Sequence, residues 1–191
     1  HIQDPKVSLD NFDVVVVPQH DSLSGNNVIS TKGAIHYLTI QGINENKGYL
    51  SSKVKSGKEV VTLILGGPNK YYKYTRENIE NVFLKVSKNF IKNNFQLIVV
   101  PSMRTPKDII KFANEHYGKD HLVINEVDKK AYLSALGLSK FIVVTCDSSS
   151  MISEAAITGK PIYVADIPAK KNDYRFKKFI SLFKELNIIR I

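Results

Sequence analysis

The sequence predicts an α/β fold in which a Rossmann-like parallel sheet is covered by helices on both faces. Short apolar runs rich in β-branched residues alternate with segments of helical periodicity along most of the chain. Glycine-containing or hydroxyl-rich loops follow several of these runs. Such alternation is typical of βαβ units, whose strands are parallel and buried on both faces.

The first 58 residues are predicted to contain two strands and a linker. Apolar runs at 12–18 and 28–31 each suit a short strand. The stretch 42–58 holds three glycines, four lysines and three serines, a composition typical of flexible connections. We therefore divide the chain into a first domain at 1–42, a linker at 43–58 and a second domain at 59–191.

The second domain is predicted to alternate strands and helices regularly. Strands are expected at 60–65, 96–101, 121–125, 141–145 and 162–165. Helices are expected at 75–93, 106–117, 129–136, 173–186 and, as a short helix, between the last two strands. Thr105 is expected to cap the second of these helices, with Pro106 at its first position and Asp108 completing a capping box.

Composition limits the class of protein. The 191 residues are 43% hydrophobic and 24% charged, which fits one globular domain of about 130 to 150 residues with additional material. The first predicted strand has little chain before it, and His1 is not a methionine, so we expect a fragment of a longer protein. The single cysteine, Cys146, excludes an intramolecular disulfide. We expect a cytoplasmic protein, with peripheral attachment at the inner face of a membrane left open.

The net charge of +9 would favour an anionic partner. Most lysines, however, fall on the faces of predicted helices, where they are typical of solvated surface. No arginine-rich helix, zinc spacing or aromatic RNA-binding pattern accompanies the charge, so we expect no nucleic acid. An anionic membrane surface and a protein partner remain open.

Three loops that follow predicted strands and precede helices are expected to bind a phosphorylated ligand. They are 66–70, 102–105 and 147–150, and each offers backbone N–H groups at a helix start. Arg104 is suited to bind a phosphate, and Glu154 to accept hydrogen bonds from a ribose diol. The alternatives without a ligand are that the glycine pair at 66–67 only forms a tight turn and that Arg104 only forms an ion pair on the surface. Neither GxGxxG nor GxxxxGK[ST] occurs, which disfavours dinucleotide-binding and P-loop proteins.

His20 and Asp21 are the second candidate for chemistry. In a loop facing a cleft, His20 would act as a general base near neutral pH and Asp21 would orient it, although a plain loop histidine is equally compatible with the sequence. Cys146 suits a small buried residue better than a nucleophile. The serines at 148–150 lack the GxSxG pattern, and the other histidines lack metal-ligand spacing, so we predict no metal site.

Six stretches together resemble the mitochondrial fission ELM1 family. They are FDVVVVPQHD at 12–21, NVISTKGAIH at 27–36, GGPNK at 66–70, SMRTP at 102–106, VTCDSSSMISEAA at 144–156 with TGKP at 158–161, and RFKKF at 175–179. Members of this family resemble GT-B glycosyltransferases, in which two Rossmann-like domains face each other across a cleft. The stretch around Glu154 is similar to the donor-binding helix of MurG-like enzymes, whose glutamate contacts the donor ribose.

The resemblance implies that 59–191 is the nucleotide-sugar side of such a protein and that 1–42 ends its acceptor side. The implied function is that of a glycosyltransferase whose donor is a nucleoside-diphosphate sugar. The implied reaction requires no metal ion or other cofactor. The alternative is a non-catalytic adaptor, because plant members recruit a dynamin-related protein to mitochondria. Met103 stands where the family usually has a second arginine, which puts a doubly basic phosphate clamp in doubt.

The expected catalytic residues are His20 and Asp21, and the backbone around Asn125 is the candidate for base recognition. The expected nucleotide-sugar-binding residues are Gly66, Gly67, Ser102, Arg104, Thr105, Asn125, Asp147, Ser148, Ser149, Ser150, Met151 and Glu154.

Overall fold

The computed structural model describes residues 1–191 and contains two parallel sheets. The small sheet pairs β1 (Val15–Pro18) with β2 (Val28–Thr31). The large sheet has six strands: β3 (Val60–Leu65), β4 (Gln96–Pro101), β5 (Leu122–Val123), β6 (Ser139–Thr145), β7 (Ile162–Ala165) and β8 (Ile189–Arg190). Six α-helices accompany them: α1 (Ile40–Asn46), α2 (Arg76–Asn89), α3 (Lys107–Tyr117), α4 (Lys129–Leu138), α5 (Ser149–Ala156) and α6 (Tyr174–Glu185).

The large sheet has the spatial order β5-β4-β3-β6-β7-β8, with every pair of neighbours parallel. The predicted Rossmann-like parallel sheet is therefore confirmed. Chain order runs outward in one direction from β3 and in the other direction from β6. Ligands of open α/β sheets bind at such a switch point, beyond the carboxyl ends of the strands. A ligand-binding site is therefore expected at the carboxyl ends of β3 and β6.

Helices cover both faces of this sheet, as alternate residues of β4 show. Leu97 and Val99 belong to the main core, which also contains buried side chains of α2 and α3. Ile98 and Val100 point the other way and join a smaller cluster with Leu50 and the buried alanines of α4. All six residues of β4 are buried, which explains why the strand is continuously apolar after Gln96.

The stretch 43–58, expected to be a linker, is folded against the second domain. Helix α1 begins after Thr39, whose side chain accepts a hydrogen bond from the Gly42 N–H, and it packs on α4. Ile43 is 4% exposed and Leu50 1% exposed. The Leu50 N–H donates to the Ser134 hydroxyl at 3.0 Å. Glycine and lysine content favours flexibility, but the buried side chains of Ile43 and Leu50 help to anchor the segment.

Three further differences concern helix and strand ends. The capping box expected at Thr105 is wrong, because α3 begins at Lys107 after Pro106 with no side-chain cap. Helix α4 continues through Gly137 to Leu138, two residues beyond the predicted range 129–136. Strand β8 was not predicted, since two residues give no periodicity to detect. None of the helices is both long enough and apolar enough to span a membrane.

Candidate functional site

The three loops expected to bind a ligand meet at the carboxyl ends of β3, β4 and β6. The Gly66 N–H donates to the Thr145 hydroxyl at 2.8 Å, which ties the loop after β3 to the end of β6. The Ser102 hydroxyl donates to the Gly66 carbonyl at 3.1 Å, which ties the loop after β4 to the same turn. The Thr105 side chain is buried and donates to the Leu65 carbonyl at 3.0 Å. Ser102 and Thr105 therefore fix the loops instead of capping a helix.

Asp147 lies at the centre of this cluster. Its side chain is 0% exposed. Oδ2 accepts one hydrogen bond from the Gly67 N–H and one from Arg104 Nη2, each at 3.0 Å. Its other oxygen, Oδ1, is buried without a hydrogen-bond partner. A buried carboxylate is tolerated only when it is paired, so Arg104 supplies the charge that balances Asp147.

Gly66 and Gly67 are required by the packing of these loops. A Cβ atom on Gly66 would overlap the Asp147 carboxylate, and one on Gly67 would overlap the backbone carbonyl of Arg104. The turn also contains Asn69, whose side-chain amide donates to the Asp147 carbonyl at 3.1 Å and whose Oδ1 accepts two backbone N–H groups. The glycine pair therefore allows close contact between protein loops.

The Arg104 side chain makes hydrogen bonds within the chain and is also partly exposed to solvent. Nη1 donates to the Gly67 carbonyl at 2.9 Å, in addition to the bond from Nη2 to Asp147. The side chain nevertheless remains 41% exposed. The guanidinium group is therefore held by the loops through Nη1 and Nη2, while part of the side chain stays accessible to solvent.

The N-terminus of α5 supplies free donors beside Arg104. The Ser148 hydroxyl accepts a hydrogen bond from the Met151 N–H at 3.4 Å and so caps the helix. Ser149 and Ser150 are the first two helical residues, and such N–H groups have no partner within a helix. Together with the positive end of the helix dipole, they form an environment that favours an anion.

Glu154 lies farther along α5 and is held by a residue that the sequence did not single out. Its Oε2 accepts a hydrogen bond from the Tyr132 hydroxyl of α4 at 2.8 Å, and Oε1 has no partner in the chain. Burial, followed by the negative charge of Glu154, raises the pKa of Tyr132, so the phenol stays protonated and donates. Tyr132 falls within the predicted helix at 129–136, where nothing in the local sequence distinguishes it from a core residue.

The other expected binding residues fall into two groups. Ser150 is exposed and Met151 half-buried on the first turn of α5, close to the loops. Asn125 is not part of the cluster, because it follows the edge strand β5, two strands away from β3, and its side chain contacts Asn114.

His20 is buried against α6, so the expectation that it faces an open cleft is wrong for this chain. Its side chain is 2% exposed, with the ring edge-on to Phe179 at a centroid distance of 5.0 Å. Nε2 lies 3.6 Å from an Asp21 carboxylate oxygen, and the same oxygen pairs with Arg175. Burial lowers the pKa of His20, against the opposing effect of Asp21. The catalytic role of the pair stays a prediction.

Comparison with known sequences places the whole chain in one family. A model of the mitochondrial fission ELM1 family matches residues 1–191. An uncharacterized protein of Rickettsia prowazekii (strain Madrid E) is 29% identical over 179 residues, which cover 91% of this chain and 49% of that protein. The mitochondrial fission protein ELM1 of Arabidopsis thaliana is 23% identical over 215 residues, covering 99% of this chain and 50% of that protein. The chain spans about half the length of the curated relatives it matches.

Comparison with solved structures identifies the fold. The UDP-GlcNAc 2-epimerase from Neisseria meningitidis, bound to UDP-GlcNAc, matches with a TM-score of 0.54 at 16% identity, over 92% of this chain and 53% of that one. The S. aureus MnaA structure with UDP matches with a TM-score of 0.50 at 15% identity, over 92% of this chain and 52% of that one. At these identities the likeness shows a shared GT-B-like fold and nothing more.

Proposed function

The chain belongs to the mitochondrial fission ELM1 family, and from this and its fold we propose that it binds a nucleotide sugar at the carboxyl ends of β3, β4 and β6. The observation that carries the proposal is the meeting of three loops with the N-terminus of α5 at the switch point between β3 and β6. Fold neighbours that contain UDP-GlcNAc and UDP support this class of ligand.

In this proposal the diphosphate binds the free N–H groups of Ser149 and Ser150 and the exposed edge of Arg104. Each of these groups favours negative charge. The ribose hydroxyls donate to Glu154 Oε1, while Tyr132 fixes the carboxylate from the other side. The asparagine at 125 would contact the base from the edge of the sheet.

We further propose that the full-length protein transfers the sugar to an acceptor hydroxyl. The acceptor oxygen forms a bond to the anomeric carbon as the bond to the diphosphate breaks and the nucleoside diphosphate leaves with the electron pair. The helix start and Arg104 stabilise the negative charge on the leaving group. His20 is the predicted proton acceptor, and α6 must move before its ring reaches an acceptor, since the ring packs against Phe179.

Calorimetric titration of the full-length protein with UDP-, GDP-, ADP- and CMP-sugars tests the binding proposal. One of these ligands is expected to bind, and Glu154→Gln to weaken it about 10-fold, since a hydrogen bond to a charged group contributes about 1.5 kcal/mol or more. Glu115→Gln, on the exposed face of α3, is the matched control and should bind normally. Absence of binding to the whole panel refutes the proposal, as does binding that Glu154→Gln leaves unchanged.

A non-catalytic adaptor is the second candidate function, and the burial of His20 favours it. A protein that performs no transfer has no need for an accessible base, and a ring that is 2% exposed is suited to packing. This candidate predicts that function in the source cell survives both His20→Ala and Glu154→Ala at normal protein levels. Loss of function in either variant, with the protein still folded, supports the transferase instead.

A further inference from the structure

A cavity lies on the side of α5 that faces the first domain. It has a volume of about 360 Å³, which lies within the range of small-ligand sites. One wall is the segment 33–36 that follows β2, and the other is formed by Ser153 of α5 and Phe183 of α6. The cavity therefore lies between the two parts of the chain that a GT-B protein would place on opposite sides of its ligand.

The wall formed by 33–36 is fixed to α5. The Ala34 N–H donates to the Ser153 hydroxyl at 3.0 Å, and that hydroxyl donates to the Ser149 carbonyl in the first turn of the helix. A Cβ atom on Gly33 would lie 2.7 Å from the Ser153 hydroxyl oxygen, so only glycine fits at this approach. The segment is thus positioned by the same helix that carries Glu154.

His36 is the polar ring in this wall. It is half-buried and lines the cavity, and its Nδ1 is buried without a hydrogen-bond partner in the chain. The next residue, Tyr37, packs under the Lys129 ammonium at 4.4 Å from its ring centroid, at the start of the helix that carries Tyr132. The segment 34–37 therefore runs from its contact with Ser153 of α5 to its contact with Lys129 of α4, and His36 lies between these two contacts.

We propose that His36 contacts the sugar of the bound nucleotide sugar and makes the protein prefer the nucleotide sugar to the free nucleotide. The inference rests on the proposed function, because the sugar must extend from a diphosphate held at the start of α5. Nε2 is the ring nitrogen left to meet a ligand, because Nδ1 is buried, and it can donate to a sugar hydroxyl or accept from one according to the tautomer. His20 cannot take this role without movement of α6, since its ring is covered by Phe179.

Paired titrations of the full-length protein with UDP and UDP-GlcNAc test the inference, followed by GDP with GDP-mannose and ADP with ADP-glucose where UDP does not bind. His36→Ala is expected to weaken binding of the nucleotide sugar about 10-fold and to leave the nucleotide unchanged, which corresponds to one lost hydrogen bond of about 1.4 kcal/mol. His36→Gln keeps a donor and an acceptor and should recover part of the loss. His116→Ala, at an exposed position on α3, is the matched control.

The outcomes separate this inference from the proposed function. If His36→Ala binds the sugar and the nucleotide as the wild type does, while Glu154→Gln weakens both, the inference is wrong and the proposed function stands. An equal loss for both ligands in His36→Ala also overturns it, because it shows an effect on the whole site. If no nucleotide or nucleotide sugar binds the wild-type protein, both proposals are refuted.

Discussion

Replacing Arg104 by alanine is expected to destabilise the fold by about 2 to 3 kcal/mol, because it leaves the Asp147 carboxylate buried without a cationic partner. That carboxylate has a side-chain exposure of 0%, and one of its oxygens already lacks a hydrogen bond. Arg104 also donates to the Gly67 carbonyl, so its loss leaves a second acceptor unpaired.

The magnitude follows from the burial of each partner. Breaking a fully buried ion pair by removing one member costs about 3 to 5 kcal/mol. Arg104 is 41% exposed, so solvent screens part of the interaction and the estimate is reduced. Asp147→Asn removes the buried charge and keeps an acceptor for the Gly67 N–H, and it should cost about 1 kcal/mol. In the double variant the loss of Arg104 no longer leaves a buried charge unbalanced, so the two losses should fall short of their sum by about 1 to 2 kcal/mol.

Urea unfolding followed by circular dichroism measures all four proteins of this cycle. Arg76→Ala is the matched control, because Arg76 pairs with Glu80 on the exposed surface of α2 at 48% and 39% exposure. It should change the unfolding free energy by no more than about 0.5 kcal/mol. If the Arg104 and Asp147 losses add within about 0.3 kcal/mol, the two side chains are not coupled and the reasoning is refuted.

Three other predictions follow from single contacts. Tyr132→Phe removes the hydrogen bond to Glu154 and should lower the unfolding free energy by about 1 kcal/mol, measured by urea denaturation, with an unchanged value contradicting it. Burial lowers the pKa of His121 below its usual 6.5, and its Nδ1 accepts the Leu97 N–H. Because the unfolded chain then binds more protons, the free energy of unfolding should fall as pH drops from 6.5 through the folded pKa, by up to about 1.4 kcal/mol per pH unit. The free energy of unfolding of His121→Gln should fall less steeply over the same pH range, and equal slopes for the two proteins would rule this out. Leu50→Ala should cost about 2 to 5 kcal/mol in thermal or urea unfolding if its segment belongs to the core, whereas a loss under about 1 kcal/mol would restore the linker interpretation.

Much of the second domain could be predicted because its elements have strong local patterns. Strands β4 and β7 have the bounds that the apolar runs predicted. Helix α2 begins next to the predicted start at 75, where the Thr75 hydroxyl accepts the Asn78 N–H. The convergence of the three loops followed from the general rule that parallel strands end at one edge of a sheet. These features depend on residues close together in sequence or on topology alone.

The features of the candidate site that sequence did not predict depend on contacts between distant residues. The hydroxyl of Thr105 bonds to the end of β3, 40 positions earlier, and not to its own helix. Arg104 reaches Asp147 across 43 positions, so a residue expected to face a ligand is partly occupied by the protein. His20 is covered by a helix that begins more than 150 residues later. No local pattern carries this information.

The attachment of Arg104 to the Gly67 carbonyl also has an entropic consequence for the proposed binding of an anion. A free arginine loses considerable rotational freedom when a ligand immobilises it, and that loss weakens binding. Arg104 has lost this freedom before any ligand arrives, because two of its nitrogens are bonded within the fold. Binding of the proposed anion should therefore cost less side-chain entropy than binding at an unrestrained arginine.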